Sequence, residues 1–160
     1  MNLDYNRIKE LPKNNSQKKI EIKKENCPNL QDISFNSNNL STLPDEFLQL
    51  DQIKHLSMNN NRFSELPNDI AKLGNLESLQ IRSNQLSKLP ENITKLEHLN
   101  SLQATHCELT ELPTNFNKLT NLIGLGVSEN KLKTVPDIST LKQLQALYLD
   151  DNELTSLPPL

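Results

Sequence analysis

The chain has 160 residues and a formal net charge of -3, which suits a single domain. Its mild acidity gives no general attraction for nucleic acid. Aromatic residues make up only 4% of the chain, and no apolar run approaches the roughly 20 residues of a membrane span. Composition therefore disfavours a nucleic-acid-binding protein and a membrane-spanning one.

Residues 1–12 contain the second half of a unit that recurs along the chain. Residues 13–29 then interrupt the pattern with a polar and basic segment, for which we expect a solvated loop; a docking loop for an acidic partner is the alternative. Residues 30–160 hold six repeats, the last of them incomplete. Neither end has a recognisable polar cap, so we expect either a piece of a longer array or a short natural one, with terminal repeats that fray.

The repeat is defined by one leucine-type position that recurs at a spacing of 23, 23, 23, 23 and 22 residues. The members of this first position are Leu30, Ile53, Leu76, Leu99, Leu122 and Leu144. The shared pattern is LxxLxLxxNxLxxLPxxIxxL, and near-constant spacing over six units is typical of a solenoid.

Each repeat combines two kinds of local structure. The LxL core alternates with period two, which predicts a short strand with one buried face. The Leu-Pro pair ends strand pairing because proline lacks an N–H, and an apolar residue with a leucine three positions later favours one helical or 3-10 turn. A single repeat buries too little apolar surface to offset its loss of conformational entropy, so stability must come from stacking.

This pattern resembles the 23-residue leucine-rich repeat class with the LPxxI segment, found in Ras-pathway scaffold, plant intracellular Ras-group and bacterial repeat proteins. The match covers residues 30–160 closely and 1–12 in part. The resemblance implies an α/β repeat fold: a right-handed solenoid with a concave parallel β-sheet of about seven short strands, and a convex side of short helical or 3-10 turns and loops. It also implies a protein-recognition role, although the fold names no partner.

The ninth repeat position predicts a structural asparagine column, because an amide can satisfy backbone groups at each strand-to-turn corner. The column reads Asn6, Asn38, Asn61, Asn84, Cys107, Asn130 and Asn152. Cys107 breaks it and is interpreted as a buried structural thiol, with a reactive or metal-binding cysteine as the alternative. Cys27 falls where leucines occupy later repeats, so it too should be core. Four repeats separate the two cysteines, so we expect free thiols and, from them, a cytoplasmic protein; export with a removed N-terminal signal is the alternative.

The third, fifth, seventh and eighth repeat positions should face outward on the concave sheet, with the tenth just beyond. Partner-binding candidates chosen from these positions are His55, Ser57, Asn59, Arg62, Gln80, Arg82, Gln103, Thr105, His106, Glu129, Tyr148 and Asp150. The middle columns are small and uncharged, which leaves room for a partner. Arginines lie toward the N-terminal half and acids toward the C-terminal end, a gradient that favours a bipolar partner.

No constellation for catalysis is apparent in the sequence. His55 and His106 are two repeats apart and cannot share a metal ion, and no phosphate-binding loop, serine-hydrolase or zinc motif occurs. A row of lysines, Lys72, Lys95 and Lys118, is interpreted as a solvated convex surface. We therefore expect a non-enzymatic protein with no cofactor, no metal site and no small-molecule substrate.

The sequence thus predicts a scaffold that binds a protein partner on its concave sheet. A targeting or substrate-recognition segment of a larger signalling enzyme is the first alternative. A weaker one is an exported or surface bacterial repeat protein that binds glycan or host protein.

Overall fold

A computed structural model describes residues 1–11 and 23–160. One six-stranded parallel sheet runs through this part of the chain, with its strands in sequence order. The strands are β1 (Asp32–Ser34), β2 (His55–Ser57), β3 (Ser78–Gln80), β4 (Ser101–Gln103), β5 (Gly124–Gly126) and β6 (Ala146–Tyr148). Where a seventh strand was expected, the N-terminal segment contributes a single parallel bridge between Asn2 and Ser34.

Strand register follows the repeat. Every pair aligns residues of the same repeat position, so Leu56 of β2 lies beside Leu79 of β3 and Leu79 beside Leu102 of β4. Because side chains alternate across a strand, the fourth and sixth positions stack in the core while the third, fifth and seventh face solvent. The predicted parallel sheet of a leucine-rich solenoid is therefore confirmed.

Short 3-10 helices lie on the other side of the repeats. Their bounds are Lys24–Asn26, Phe47–Gln49, Asn68–Lys72, Glu91–Lys95 and Phe116–Lys118. Each of the last four contains the apolar residue that follows the Leu-Pro pair, and that residue is buried. The predicted convex turns are confirmed, and no helix in the described residues is longer than five residues.

The core is one continuous column of apolar side chains that passes from repeat to repeat. Phe35 and Phe47 meet edge to face with ring centroids 5.8 Å apart, at its N-terminal end. Burial weakens at the other end, where Leu144, Leu147 and Leu149 of the last repeat are only half-buried. Each repeat therefore depends on its neighbours for most of its apolar burial.

The asparagine column connects consecutive repeats through buried hydrogen bonds. The side-chain amide of Asn61 donates to the carbonyls of Phe35, Met58 and Asn59 at 2.9, 3.2 and 3.2 Å, and its Oδ1 accepts the Leu40 N–H at 3.0 Å. The Phe35 and Leu40 contacts belong to the preceding repeat. Asn38, Asn84, Asn130 and Asn152 repeat this arrangement.

Cys107 fills the same position with fewer contacts. Its thiol donates to the Ile81 carbonyl at 3.3 Å, and the sulfur takes a backbone hydrogen bond from Asn84 in the preceding repeat. In the other repeats an asparagine Oδ1 accepts the N–H two residues after the preceding member of the column, and here that group is the N–H of Leu86. Leu86 is fully buried, and no acceptor for its N–H lies among the described residues. In this part of the chain, the asparagine column therefore leaves one buried backbone N–H unsatisfied, at Leu86.

The residue before each asparagine has a left-handed backbone, which the sequence did not reveal because no glycine marks it. Its φ lies between 52° and 57° in Tyr5, Ser37, Asn60, Ser83, His106, Glu129 and Asp151. Non-glycine residues adopt this conformation at a cost of roughly 1–2 kcal/mol. The N–H of each except Asp151, which lies in the last repeat, donates to the next repeat, for example His106 to the Ser128 carbonyl at 3.0 Å, so stacking offsets this cost.

Cys27, expected in the core, is only half-buried. It packs against the core edge, and its thiol donates to the Lys23 carbonyl at 3.3 Å. Residues 13–22 of the predicted 13–29 insertion lie outside the described residues.

Replacing Asn61 with alanine should lower the free energy of unfolding by about 2–4 kcal/mol, because buried backbone groups of two repeats lose their partners. Urea denaturation measures the loss. Asn6→Ala is the matched control: Asn6 is exposed and bonds only to carbonyls within its own segment, so we expect a loss below about 1 kcal/mol. Equal losses in the two variants would contradict the proposed role of burial.

Replacing Cys107 with asparagine should raise the free energy of unfolding by about 1 kcal/mol, because the new Oδ1 can accept the Leu86 N–H. Cys107→Ser, which keeps a small side chain, separates loss of the thiol from gain of the amide. An asparagine variant no more stable than the serine variant would show that the Leu86 N–H is not the weak point.

Candidate functional site

We call the solvent-exposed side of β1–β6 the open face. It is formed by the third, fifth and seventh repeat positions. Most of the predicted binding residues lie on it: His55 at the third position, Ser57, Gln80, Gln103 and Tyr148 at the fifth, and Asn59, Arg82, Thr105 and Asp150 at the seventh. His106 and Glu129 occupy the left-handed corner next to it, and Arg62 lies beyond the corner at the tenth position. Parallel register brings these side chains onto one surface.

The N-terminal half of the open face carries a second hydrogen-bond ladder, made by the seventh position. Asp4 Oδ1 accepts the Asn36 N–H at 2.8 Å, Asn36 Oδ1 accepts the Asn59 N–H at 2.7 Å, and Asn59 Oδ1 accepts the Arg82 N–H at 2.8 Å. The ladder ends at Arg82 because an arginine side chain has no acceptor. The recurrence of Asp and Asn at this position was the available signal, and sequence reasoning missed it.

This ladder changes the interpretation of Asn59 as a partner-binding residue. Its Nδ2 donates to Ser57 Oγ and to Gln80 Oε1, both at 3.3 Å, while its Oδ1 is occupied by the Arg82 N–H. Both ends of the amide are thus engaged within the protein. Asn59 holds its neighbours in place rather than presenting a free amide to solvent.

The middle of the open face contains an arginine held by a glutamine. Arg82 Nη2 donates to Gln103 Oε1 at 3.0 Å. The Gln103 side chain extends over β5. An added Cβ at Gly126 would lie 2.2 Å from the same Oε1. The open space expected above the small residues is therefore partly occupied at Gly126, although a Cβ at Gly124 would meet nothing within 4 Å.

A charged cluster borders the face at its N-terminal end. His55 Nδ1 lies 2.5 Å from Asp32 Oδ1, and its Nε2 lies 3.9 Å from Glu77 Oε2. Lys54 donates to Glu77 at 3.0 Å, and this hydrogen bond lowers the pKa of the Glu77 carboxyl. A shallow pocket of about 320 Å³ lies here, lined in part by Asp32, His55 and Gln80.

The C-terminal end of the open face has fewer unpaired carboxylates than the sequence suggested. The Lys131 ammonium contacts Glu108 and lowers the pKa of that carboxyl, and His106 Nδ1 lies 3.1 Å from Glu129. Asp150 Oδ1 accepts the Ser128 hydroxyl at 2.5 Å, and Tyr148 is 56% exposed. The end of the open face therefore offers an aromatic ring beside a carboxylate.

No group of three or more His, Cys, Asp and Glu side chains in the described part of the chain is arranged to hold a metal ion. His106 and Cys107 adjoin in sequence, but the imidazole is exposed and the thiol is buried. Over the same residues, no helix is long and apolar enough to span a membrane.

Both cysteines carry free thiols, as the repeat spacing predicted. Burial raises the pKa of the Cys107 thiol, which keeps it protonated and a poor nucleophile. Its packing corresponds to the structural interpretation rather than to the reactive one.

A maleimide reagent at pH 7.5 should therefore modify Cys27 first and leave Cys107 unmodified while the chain is folded. Mass spectrometry after proteolysis assigns the sites, and modification in urea provides the control in which both thiols react. Equal labelling of the two cysteines in the native chain would contradict the burial argument.

A family model and the solved structures both relate this chain to leucine-rich repeat proteins. A sequence model of the family described as Leucine Rich Repeat matches residues 52–73 and 75–96. Among solved structures, the chain is similar to a leucine-rich repeat protein of Leptospira interrogans, with 34% identity and a TM-score of 0.66 over 81% of this chain. No match was found among curated proteins.

Plant receptors are also similar to this chain. The leucine-rich ectodomain of the membrane receptor kinase GASSHO1/SCHENGEN3 from Arabidopsis thaliana, in complex with CASPARIAN STRIP INTEGRITY FACTOR 2, has 32% identity and a TM-score of 0.72 over 78% of this chain. The Arabidopsis receptor kinase HAESA, in complex with the peptide hormone IDA and the co-receptor SERK1, has 28% identity and a TM-score of 0.75 over 84%.

All three of these structures are much longer than this chain. The chain spans 39% of the Leptospira protein, 16% of GASSHO1/SCHENGEN3 and 24% of HAESA. The shared part is the repeat array itself.

Proposed function

We propose, on the premise that this chain belongs to the leucine-rich repeat family, that it is a non-catalytic scaffold which binds a protein partner on its open face. Leucine-rich repeats are commonly protein-interaction modules. For this chain, we assign the binding surface to the residues of the open face. A partner is expected to contact Arg82, Gln103 and Tyr148, which lie on the open face of β3, β4 and β6.

The observation that carries this proposal is the organisation of the open face before any partner binds. Asn36 and Asn59 connect β1, β2 and β3 on the exposed side, and Gln103 holds Arg82 in one orientation. Side chains that are already ordered lose less entropy on association. Arginine and tyrosine are also the residue types that dominate binding energy in protein interfaces.

The charges of the chain favour a protein partner over a nucleic acid. The chain has a formal net charge of -3, and Lys72 of the convex lysine row is paired with Asp69 at 2.5 Å. A phosphate backbone requires a basic surface that these residues do not form.

A second candidate function is recognition within a larger signalling enzyme. The chain spans only a quarter or less of the two Arabidopsis receptor kinases to which it is similar, one of them in complex with a peptide hormone. In that case the open face would select a ligand or substrate for a catalytic domain elsewhere. A bacterial surface protein that binds glycan or host protein is the weaker candidate, and the similarity to the Leptospira protein is compatible with it.

We propose a cytoplasmic location, because unpaired cysteines suit a reducing compartment. Cell fractionation of the natural host tests this assignment. Recovery in the medium or at the outer surface would favour export instead.

The test of the open face uses two glycines at which an added Cβ has open space. A Cβ meets nothing within 4 Å at Gly124, at the third repeat position of β5 on the open face, or at Gly74, in a turn away from it. Peptides are first selected from a displayed random library on the wild-type chain. Their affinities for Gly124→Arg and Gly74→Arg are then measured by fluorescence anisotropy.

Gly124→Arg should reduce affinity by at least tenfold, because the new side chain occupies the binding surface, whereas Gly74→Arg should bind as the wild type does. Both variants add the same charge, and circular dichroism verifies that both fold. If the selected peptides bound Gly124→Arg as tightly as the wild type, the open face would not be the binding surface.

A further inference from the structure

We infer that the open face recognises an extended segment in which an acidic residue and a basic residue are four positions apart. The acidic side chain binds Arg82 and Gln103, and the basic one binds Tyr148 and Asp150. This inference rests on the proposed function, since it names the chemistry of the partner for the same surface.

The acidic residue is specified by the donors around Arg82. Gln103 Oε1 already accepts the Arg82 Nη2 hydrogen at 3.0 Å, so this acceptor is used within the protein. What remains toward solvent is the rest of the Arg82 guanidinium and the Gln103 NH₂ group, and both only donate. A carboxylate is the group that matches adjacent donors of this kind.

The surroundings leave this pair without an acidic partner of its own. The third, fifth and seventh positions of β3, β4 and β5 are Ser78, Gln80, Arg82, Ser101, Gln103, Thr105, Gly124, Gly126 and Ser128. None of them carries a negative charge. An incoming Asp or Glu therefore meets a positive charge without competition from the open face.

Gly126 is what allows this arrangement. A Cβ there would stand 2.2 Å from Gln103 Oε1 and 2.9 Å from its Cδ, so any other residue would displace the carboxamide. The displaced group is the flexible end of a side chain, so the backbone can stay in place. Gly126 thus acts as a positioning residue for Gln103, which in turn orients Arg82.

The basic residue is specified at β6. Tyr148 is 56% exposed, and its ring lies on the same face as Asp150, two residues later. Asp150 Oδ1 accepts the Ser128 hydroxyl at 2.5 Å, which holds the carboxylate in place. A Lys or Arg side chain can lie over the ring and reach the carboxylate.

The separation of the two subsites sets the spacing in the partner. From the β3–β4 pair to β6 is roughly 12–14 Å at about 4.8 Å per strand. An extended chain advances about 3.3 Å per residue, so four residues cover this distance and leave the two charged side chains on the same side. The residue midway between them lies over β5, close to Gly126 and Ser128, which occupy the same repeat positions as the two subsites.

The test is a selection of nine-residue displayed peptides, carried out in parallel on the wild-type chain, Arg82→Gln, Gly126→Ala and Asp150→Asn. Gly74→Ala serves as the matched control for Gly126→Ala, because it adds the same methyl group away from the open face. Sequencing of the enriched pools gives the residue preference at each position. Affinities of synthetic copies of the enriched peptides are then measured for every variant.

Wild-type and Gly74→Ala pools should be enriched in an Asp or Glu four positions from a Lys or Arg. Arg82→Gln should abolish the acidic preference and reduce affinity roughly tenfold or more, the effect expected from losing a hydrogen bond to a charged group. Gly126→Ala should weaken the acidic preference without unfolding the chain. Asp150→Asn should reduce the basic preference alone.

Enriched peptides without this charge pair, an acidic preference that survives Arg82→Gln, or no enriched peptide at all would overturn the inference. Peptides that lack the pair but are still excluded by Gly124→Arg would leave the proposed function standing. Peptides that bind Gly124→Arg normally would contradict the proposed function itself.

Discussion

The buried asparagine amide is the interaction on which the rest of this molecule depends. Asn61 donates to carbonyls in two consecutive repeats and accepts an N–H from the earlier one. Without such a group, each strand-to-turn corner would bury backbone donors and acceptors with no partner, at a cost of about 1–3 kcal/mol for each unsatisfied group. Its recurrence at one repeat position joins consecutive repeats at the same corner and reinforces the common register of the strands.

The same register creates the open face. Because each strand aligns with the same positions of its neighbours, side chains far apart in sequence form columns across the sheet. A column of amides can then satisfy its neighbours' backbone, as Asn36 does for Asn59. Where the seventh position is no longer Asp or Asn, this ladder of hydrogen bonds ends, and the side chain at that position contacts other groups. Arg82 is the first such residue, and it lies at the boundary between an internally bonded half and a half with smaller side chains.

That division decides which candidate residues are available to a partner. Asn59 and Ser57 are engaged in hydrogen bonds with their neighbours, so they order the surface. Glu129 is paired with His106, which reduces the negative charge expected at the C-terminal end. Arg82, Gln103 and Tyr148 keep groups directed to solvent. Recognition by this fold is therefore concentrated in a few positions among many exposed ones, as in protein interfaces generally.

Sequence alone was sufficient for the architecture, because a solenoid is determined by local periodicity: the spacing of Leu56 and Leu79 implies parallel strands in register, and the Leu-Pro pair implies a turn. It also indicated which positions face outward, since side chains alternate along a strand. Tertiary structure decided which exposed side chains are free. The bond between Arg82 and Gln103, the carboxamide lying over Gly126 and the unmatched Leu86 N–H all arise between residues about 20 positions apart or more. Such contacts depend on side-chain conformation after stacking, and repeat spacing carries no information about it.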